Sequence, residues 1–447
     1  MRGARALAVD ILTRVERDRA YASLLLDATL AREGLQANEA ALLTELAYGV
    51  LRWRGTLDWL FKTVGGRCLA DLPVRLRQIL RVGAYQLRFL NRIPAYAAVS
   101  EAVALAKGAG GHQGWASLTN ALLRRFADRR DTLPAPEMED VAERLALTFS
   151  HPAWLVRRWL NRLGEAEATA LLEANQHPAP TVLLVNRLRT EPATVAARLA
   201  AAGVASEVSP LLPEALRVRE GGRVRHDPLV SEGHVQVMDE GGALAVALLD
   251  PQRGETILDA CAGGGNKAAR MAALMGNAGR IVALDVSDRA RRRLRELCAR
   301  LGAAIVEPRA GDAREASRHL PEGADRVLVD APCTGLGTLR RHPEIRWRVL
   351  EADLARLGAL QRALLRGAAE VVRPGGCLVY AVCSTEPEEG EGVAEALGRD
   401  VPAFREEAPA GFPVASCTRL PHGGFRTFPH RQGCDGFTFI RWRRESA

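Results

Sequence analysis

The chain has 447 residues, 47% hydrophobic and 26% charged, well past the roughly 250–300 residues at which a single hydrophobic core stops growing, so two or three domains are expected. This balance excludes global disorder and collagen-like repeats, and the longest uncharged apolar runs, such as Ala243 to Leu249, fall far short of the ~18 residues of a membrane span. The formal charge of +8 is concentrated at the front: residues 1–130 carry 20 Lys+Arg against 11 Asp+Glu, which leaves 41 against 42 for the rest.

A basic front on a neutral body points to a polyanionic partner, RNA or DNA. The simpler reading is an arginine-biased composition, since Lys62, Lys107 and Lys267 are the only lysines. Asp10, Arg14 and Glu16 interrupt the stretch that would otherwise pass for a signal peptide, so a cytoplasmic location without membrane association is expected. Eight cysteines, at 68, 261, 298, 333, 377, 383, 417 and 434, include no CxxC pair. Neither a metal site nor a disulfide framework fits them, so any special cysteine is a free thiol.

Residues 1–135 read as an all-helical bundle: Leu7, Ile11 and Val15 form one stripe, followed by apolar periodicity over Leu24 to Leu30, Leu42 to Leu51, Leu76 to Leu87 and Leu118 to Phe126. The cluster Leu133-Pro134-Ala135-Pro136-Glu137 closes this domain. Residues 136–230 are expected to form a small α+β module. It has a helix carrying Trp154 and Trp159, a break at Pro178 and Pro180, a strand at Thr181 to Val185, a helix over Ala193 to Ala202 and a turn at Gly221-Gly222. From 231 to 447, runs rich in Val, Ile and Leu alternate with helical stretches, the pattern of a doubly wound α/β domain with a mostly parallel sheet. Its loop-rich stretch from Pro402 to Phe428 leads to an antiparallel hairpin completed by Phe437 to Trp442.

The chemistry lies in this last domain. A strand from Glu255 to Cys261 runs into the loop Ala262-Gly263-Gly264-Gly265-Asn266-Lys267 and then a helix over Ala268 to Leu274. Such a loop lets backbone approach a ligand and aims helix N-terminal N–H groups at its anionic part. A second strand, Arg280 to Leu284, ends in Asp285, about 20 residues after the glycines, where an acid can hydrogen-bond ribose hydroxyls. Because the loop is not GxGxxG, the pattern favours a nucleoside cofactor without pyrophosphate, S-adenosylmethionine. Tight turns also use glycine for structure alone, and the acid at the right distance is what favours the cofactor.

Two further strands end in cysteine segments, Asp330-Ala331-Pro332-Cys333 and Val382-Cys383-Ser384-Thr385. In a parallel sheet, ligands bind beyond the carboxyl ends of strands, so Asp330, Cys333 and Cys383 are candidates for one cleft. Cytosine C5 is too weak a nucleophile to attack a methylsulfonium unaided. A thiolate adding to C6 creates the enamine that can, and a base then removes the C5 proton. Cys68, Cys298, Cys377 and Cys417 read as small buried hydrophobes.

The segment Asp330 to Cys333, then Gly335-Leu336-Gly337 and Arg340-Arg341-His342-Pro343-Glu344-Ile345-Arg346-Trp347, resembles the RNA 5-methylcytosine methyltransferases, in particular the RsmB (Sun, Fmu) family acting on small-subunit ribosomal RNA. Phe149-Ser150-His151-Pro152-Ala153-Trp154 and Val237-Met238-Asp239-Glu240 extend the resemblance to nearly the whole chain, and residues 1–130 resemble the antitermination factor NusB. The resemblance implies a Rossmann-like class I methyltransferase domain, a monomer, S-adenosylmethionine as donor and 16S rRNA as substrate. Cys383 is then the nucleophile, and Cys333 assists proton removal or release. Asp330 contacts the cytosine edge near N3, Asp285 the ribose and Asp312 the adenine amino group. Lys267 lies beside the methionine moiety and the base, and Cys261 to Lys267 form the donor loop.

DNA cytosine methyltransferases use the cysteine after proline instead, so the choice of nucleophile rests on family identity and not on spacing. The family usually reads Cys-Ala-Ala-Pro-Gly-Gly-Lys where this chain has Cys261-Ala262-Gly263-Gly264-Gly265-Asn266-Lys267, and Gly390 stands where asparagine is common. Loss of the proline predicts a looser loop before binding, with donor binding expected to survive in weakened form. The glutamates of Pro387-Glu388-Glu389-Gly390 read as favourable charges in the first turn of a helix, without a catalytic role. Arg340 and Arg341 are candidate RNA contacts. A catalytically silent RNA-binding or antitermination factor, or a cytosine methyltransferase acting on tRNA or DNA, remain the alternatives.

Overall fold

In a computed structural model, which describes residues 2–108, 114–218, 224, 227–420 and 424–446, the chain packs as two units. One comprises Met1–His177 with Leu339–Val349, the other Pro178–Thr338 with Leu350–Ala447. The turn expected at Gly221-Gly222 lies outside the described residues. Among those described, no helix is long and apolar enough to cross a membrane.

The first unit is helical: α1 (Ala4–Arg17), α2 (Ala22–Glu33), α3 (Ala37–Gly65), α4 (Val74–Phe89), α5 (Ala95–Gly108), α6 (Gly114–Asp128), α7 (Val141–Thr148), α8 (Ala153–Leu163) and α9 (Glu165–Ala174). The stripe Leu7, Ile11 and Val15 is buried against apolar residues of α3 and α4, as its spacing of four requires. The unit runs past the boundary near 135: α7 to α9, which the sequence groups with the following module, pack with the helices. The unit also takes in Leu339–Val349. Within it the Arg346 guanidinium, fully buried, donates to the carbonyls of Ser150 (3.0 Å) and Asn175 (3.3 Å), and the Trp347 indole donates to that of Leu51 (3.1 Å). Arg340, expected at the surface as an RNA contact, is buried instead, because it belongs to this inserted segment.

An ion network centred on the buried Arg81, with part-exposed carboxylates, ties α1, α3 and α4 together. Arg81 of α4 makes a two-pronged bond to Asp58 of α3 (2.7 and 2.7 Å) and also donates to Glu16 of α1. Such forked guanidinium–carboxylate geometry is the strongest ion-pair arrangement.

In the second unit, β1 (Thr181–Val185), β2 (Ser206–Val208), β3 (Ala215–Val218) and β4 (Val235–Val237) form an antiparallel sheet in the order β2-β3-β1-β4. The helix Pro192–Ala201 covers one face through Val195 and Leu199, which cluster with Leu183 and Val185. Then come β5 (Thr256–Asp259), β6 (Arg280–Asp285), β7 (Val306–Ala310), β8 (Ala324–Asp330), β9 (Val372–Val382), β10 (Phe404–Glu406), β11 (Thr418–Arg419), β12 (Phe425–Arg426) and β13 (Thr438–Arg444). They make one nine-stranded sheet of order β11-β12-β13-β9-β8-β5-β6-β7, with β10 paired to β13.

The five strands β9, β8, β5, β6 and β7 are mutually parallel, and β13 runs antiparallel to β9. Alternate residues serve opposite faces: Ile257, Ile281 and Leu328 join one core with the helices Glu240–Leu249, Asn266–Leu274 and Asp288–Leu301. Leu258, Val282 and Val327 join another with Glu351–Glu370 and Glu391–Asp400. This is the doubly wound, Rossmann-like arrangement predicted from the hydrophobic runs. The chain builds outward from β5 through β6 to β7, then returns to β8 on the other side of β5. That reversal opens a crevice beyond the carboxyl ends of β5 and β8.

Arg81→Ala would leave Glu16 and Asp58 without their shared cation, and we expect a loss of about 3 kcal/mol in chemical denaturation of the full chain. Burial works against the charge of Glu16, yet Arg81, Arg54 and Arg77 outweigh it and hold this carboxyl below its ordinary 4.5. Its contribution is therefore complete above about pH 4.5 and lost as acid carries the folded protein through the lowered value. The gap between variant and wild type should narrow under acid, and a gap that is independent of pH would exclude the network as its source.

Candidate functional site

The predicted acids and Cys383 sit at or just beyond the carboxyl ends of parallel strands, joined there by Asp259, while Lys267 lies in the first turn of the helix that follows β5. Asp259 ends β5, Asp285 ends β6 and Asp330 ends β8; Asp312 follows β7, and Cys383 follows β9. The sheet's register then brings them to one edge, since Asp259 lies opposite Leu328 and Ala283, and Asp330 opposite Ala381.

After β5, the loop Cys261 to Gly265 turns into the helix Asn266–Leu274. Gly265 caps that helix at φ 87°, and a side chain there would strike Leu294, with its first carbon 2.7 Å from Cγ. Gly263 and Gly264 behave differently: a carbon added at either meets nothing within 4 Å. The backbone here faces open space, as a loop that receives a ligand must. The Gly263 N–H donates to Asp285 (2.9 Å), whose other oxygen accepts from Ser287 N–H (2.7 Å), so the acid and the loop are held in one frame. Asp312 accepts from the backbone (2.9 Å) and guanidinium (2.6 Å) of Arg314, which hold it below the usual carboxylate range.

Lys267 is paired with Asp330. Burial works against its charge, but Asp330, Asp259 and Cys383 outweigh this and keep the ammonium charged. Asp259 is a member of the site that sequence reasoning misses. It is 1% exposed, neither carboxylate oxygen has a well-formed hydrogen bond, and burial raises it from 3.8 to about 7. An acid directly before a glycine loop is the sequence signal that could have found it.

The Cys333 and Cys383 sulfurs lie 3.2 Å apart, and both residues keep part of their surface accessible. The loop carrying Cys333 is seated against the residue after β9: Gly337 N–H donates to the Cys383 carbonyl (3.0 Å), and Gly436 N–H donates to the Gly337 carbonyl (2.8 Å). Only glycine fits at 337, because an added carbon would sit 1.8 Å from the Gly436 oxygen. The hydrogen bond to Cys383, burial and the nearby Glu389 all push the Cys333 thiol well above its ordinary value, so Cys333 keeps its proton. Burial likewise raises Cys261, Cys298, Cys417 and Cys434, which therefore stay inert thiols.

The reading of Glu389 as a first-turn charge does not hold. The helix begins later, at Glu391, and Glu389 is fully buried. The arrangement offers an accessible thiol next to a protonated one, with a fixed ammonium whose charge both Asp330 and Cys383 favour. That is a set suited to nucleophilic addition followed by proton transfer.

Comparison with known proteins agrees with this layout. A family model described as 16S rRNA methyltransferase RsmB/F matches residues 246–442, a NusB family model matches 2–128, and a ferredoxin-like domain of RsmF/B-like methyltransferases matches 151–225. The chain is 34% identical to a Bacillus subtilis (strain 168) protein named probable ribosomal RNA small subunit methyltransferase B, over 99% of this chain and 98% of that one. It is 36% identical to a Synechocystis protein of the same name, over 98% of each. The crystal structure of PH0851 superposes with a TM-score of 0.82 at 27% identity and 99% coverage of both chains.

Asp259 makes stability depend on pH. Its folded value lies above the unfolded one, so its contribution is whole below about pH 3.8 and is lost as pH rises through about 7. Between those limits the wild type should lose up to roughly 1.4 kcal/mol per pH unit relative to Asp259→Asn. Thermal unfolding at pH 4.5 and pH 8 checks this, and parallel profiles for the two proteins would show that Asp259 is not the titrating group.

Proposed function

From the premise that the chain belongs to the RsmB/F family of 16S rRNA methyltransferases, we propose that it methylates C5 of a cytosine in ribosomal RNA, with S-adenosylmethionine as donor and Cys383 as the covalent nucleophile. The observation that carries this reading is the contact of two thiols at one strand edge, of which Cys333 is the one that keeps its proton.

The donor, when bound, supplies an electrophilic methyl group. The residues fit it: the open backbone of Gly263 and Gly264, together with Asn266 at the helix N-terminus, receives the methionine end, and Asp285 the ribose hydroxyls. Asp312 takes the adenine amino group. Val286, 73% exposed and next to Asp285, offers apolar surface to the adenine ring.

A cytosine extruded from its strand enters beside Cys333 and Cys383. Cys383, as its thiolate, bonds to C6, with the Cys333 sulfur 3.2 Å away and the Lys267 ammonium close by. Asp330, held by Lys267, orients the N3 edge and stabilises its protonated form as electron density moves to C5. After C5 gains the methyl group, water takes the C5 proton, the freed electron pair re-forms the C5–C6 double bond, and the Cys383 sulfur leaves as thiolate, with Cys333 assisting its release. The basic helical front, residues 1–135, supplies sequence-independent attraction for the RNA backbone.

Cys383→Ala and Cys333→Ala separate this mechanism from its relatives. On 16S rRNA the first should form no covalent adduct, and the second should accumulate one on denaturing gels. The reverse pattern would assign the nucleophile to Cys333, as in DNA enzymes. Calorimetric titration should show binding of S-adenosylmethionine. No binding at millimolar donor would leave an RNA-binding protein without methyl transfer.

A further inference from the structure

We propose that Glu389 is a positioning residue that locks the Cys333 loop to the Cys383 loop, and so sets the approach of the two sulfurs. The inference deepens the reading above and rests on it for the roles of the two thiols. Glu389 lies in the turn between β9 and the helix Glu391–Asp400, and its side chain is fully buried. One carboxylate oxygen accepts from the backbone N–H of Thr334, the residue after Cys333 (2.8 Å), and from Gln361 (3.0 Å); the other accepts from the Thr334 hydroxyl. Gln361 also donates to the Pro332 carbonyl (2.9 Å), so both neighbours of Cys333 are fixed through this one carboxylate.

The main chain of Glu389 is anchored just as firmly. Its carbonyl accepts from the Tyr380 hydroxyl (2.6 Å), three residues before Cys383 on β9. Glu389 therefore bridges the strand that delivers one thiol and the loop that delivers the other. Three donors converge on its carboxylate, and each is a neutral group. The Glu389 carboxylate lies beside Cys333, and it is one of the causes that retain the proton on that sulfur. A glutamate with only a packing role would be replaceable by glutamine, which keeps the shape and an acceptor for the Thr334 N–H but lacks the charge.

The test uses full-length Glu389→Gln and Glu389→Ala. With 16S rRNA, Glu389→Ala should turn over about 100-fold more slowly, accumulate the covalent adduct expected of Cys333→Ala and bind donor within about twofold of wild type. Glu389→Gln should recover roughly tenfold of that loss. A second readout needs no RNA: in the Cys383→Ala background, alkylation of Cys333 by iodoacetamide is followed from neutral to alkaline pH by peptide mass spectrometry. Adding Glu389→Gln should move the midpoint to lower pH. An unmoved midpoint overturns the proposal, as does wild-type turnover in Glu389→Ala or an equal loss of donor binding and thermal stability in both variants. Because the alkylation profile is independent of methyl transfer, it decides on Glu389 even where Cys333→Ala traps no adduct. That second result would count against the proposed mechanism instead.

Discussion

The constraint on which the rest depends is the placement of β5 between β6 and β8 in a parallel sheet. Parallel strands end on the same side, so every residue that follows a strand is delivered to one rim. Reversal of the strand order beside β5 then keeps the loops after β5 and β8 from crowding each other. Asp259, Asp285, Asp312, Asp330 and Cys383 are far apart in sequence and owe their proximity to this topology alone. A one-residue slip of β9 against β8 would turn Tyr380 and Ala381 to opposite faces and carry Cys383 away from Cys333.

Charge at this rim is arranged around a single ammonium. Lys267 faces Asp330 directly and senses Asp259 and Cys383, so one cation offsets several groups that would otherwise repel one another. In an arginine-dominated chain a lysine suits this position, because its compact charge answers several partners at once, whereas a planar guanidinium commits to one fork. Asp259, with no well-formed hydrogen bond, is pushed up to about 7 by its burial even with Lys267 close by.

Much of this was legible before any coordinates. Apolar runs ending in Asp285, Asp330 and Cys383 announced strands and their carboxyl ends, and the observed strands Arg280–Asp285 and Thr181–Val185 match the predicted runs residue for residue. The 3.2 Å approach of the sulfurs agrees with the single cleft expected from strand-end placement. What stayed hidden is tertiary. Pro387-Glu388-Glu389 has the local grammar of a helix start, and nothing nearby in sequence reveals that Thr334 and Gln361 converge on Glu389. The packing of α7 to α9 with the helical unit, and the burial of Arg340, depend on a segment that returns from almost two hundred positions later, beyond the reach of periodicity.

That returning segment governs the order in which the protein can be completed during synthesis. The carbonyls of Ser150 and Asn175 meet the Arg346 guanidinium, and that of Leu51 meets the Trp347 indole, only once the ribosome has passed residue 349. By then β5 through β8 have already been translated. The last internal bonds of the helical unit thus wait for a peptide encoded after most of the parallel strands.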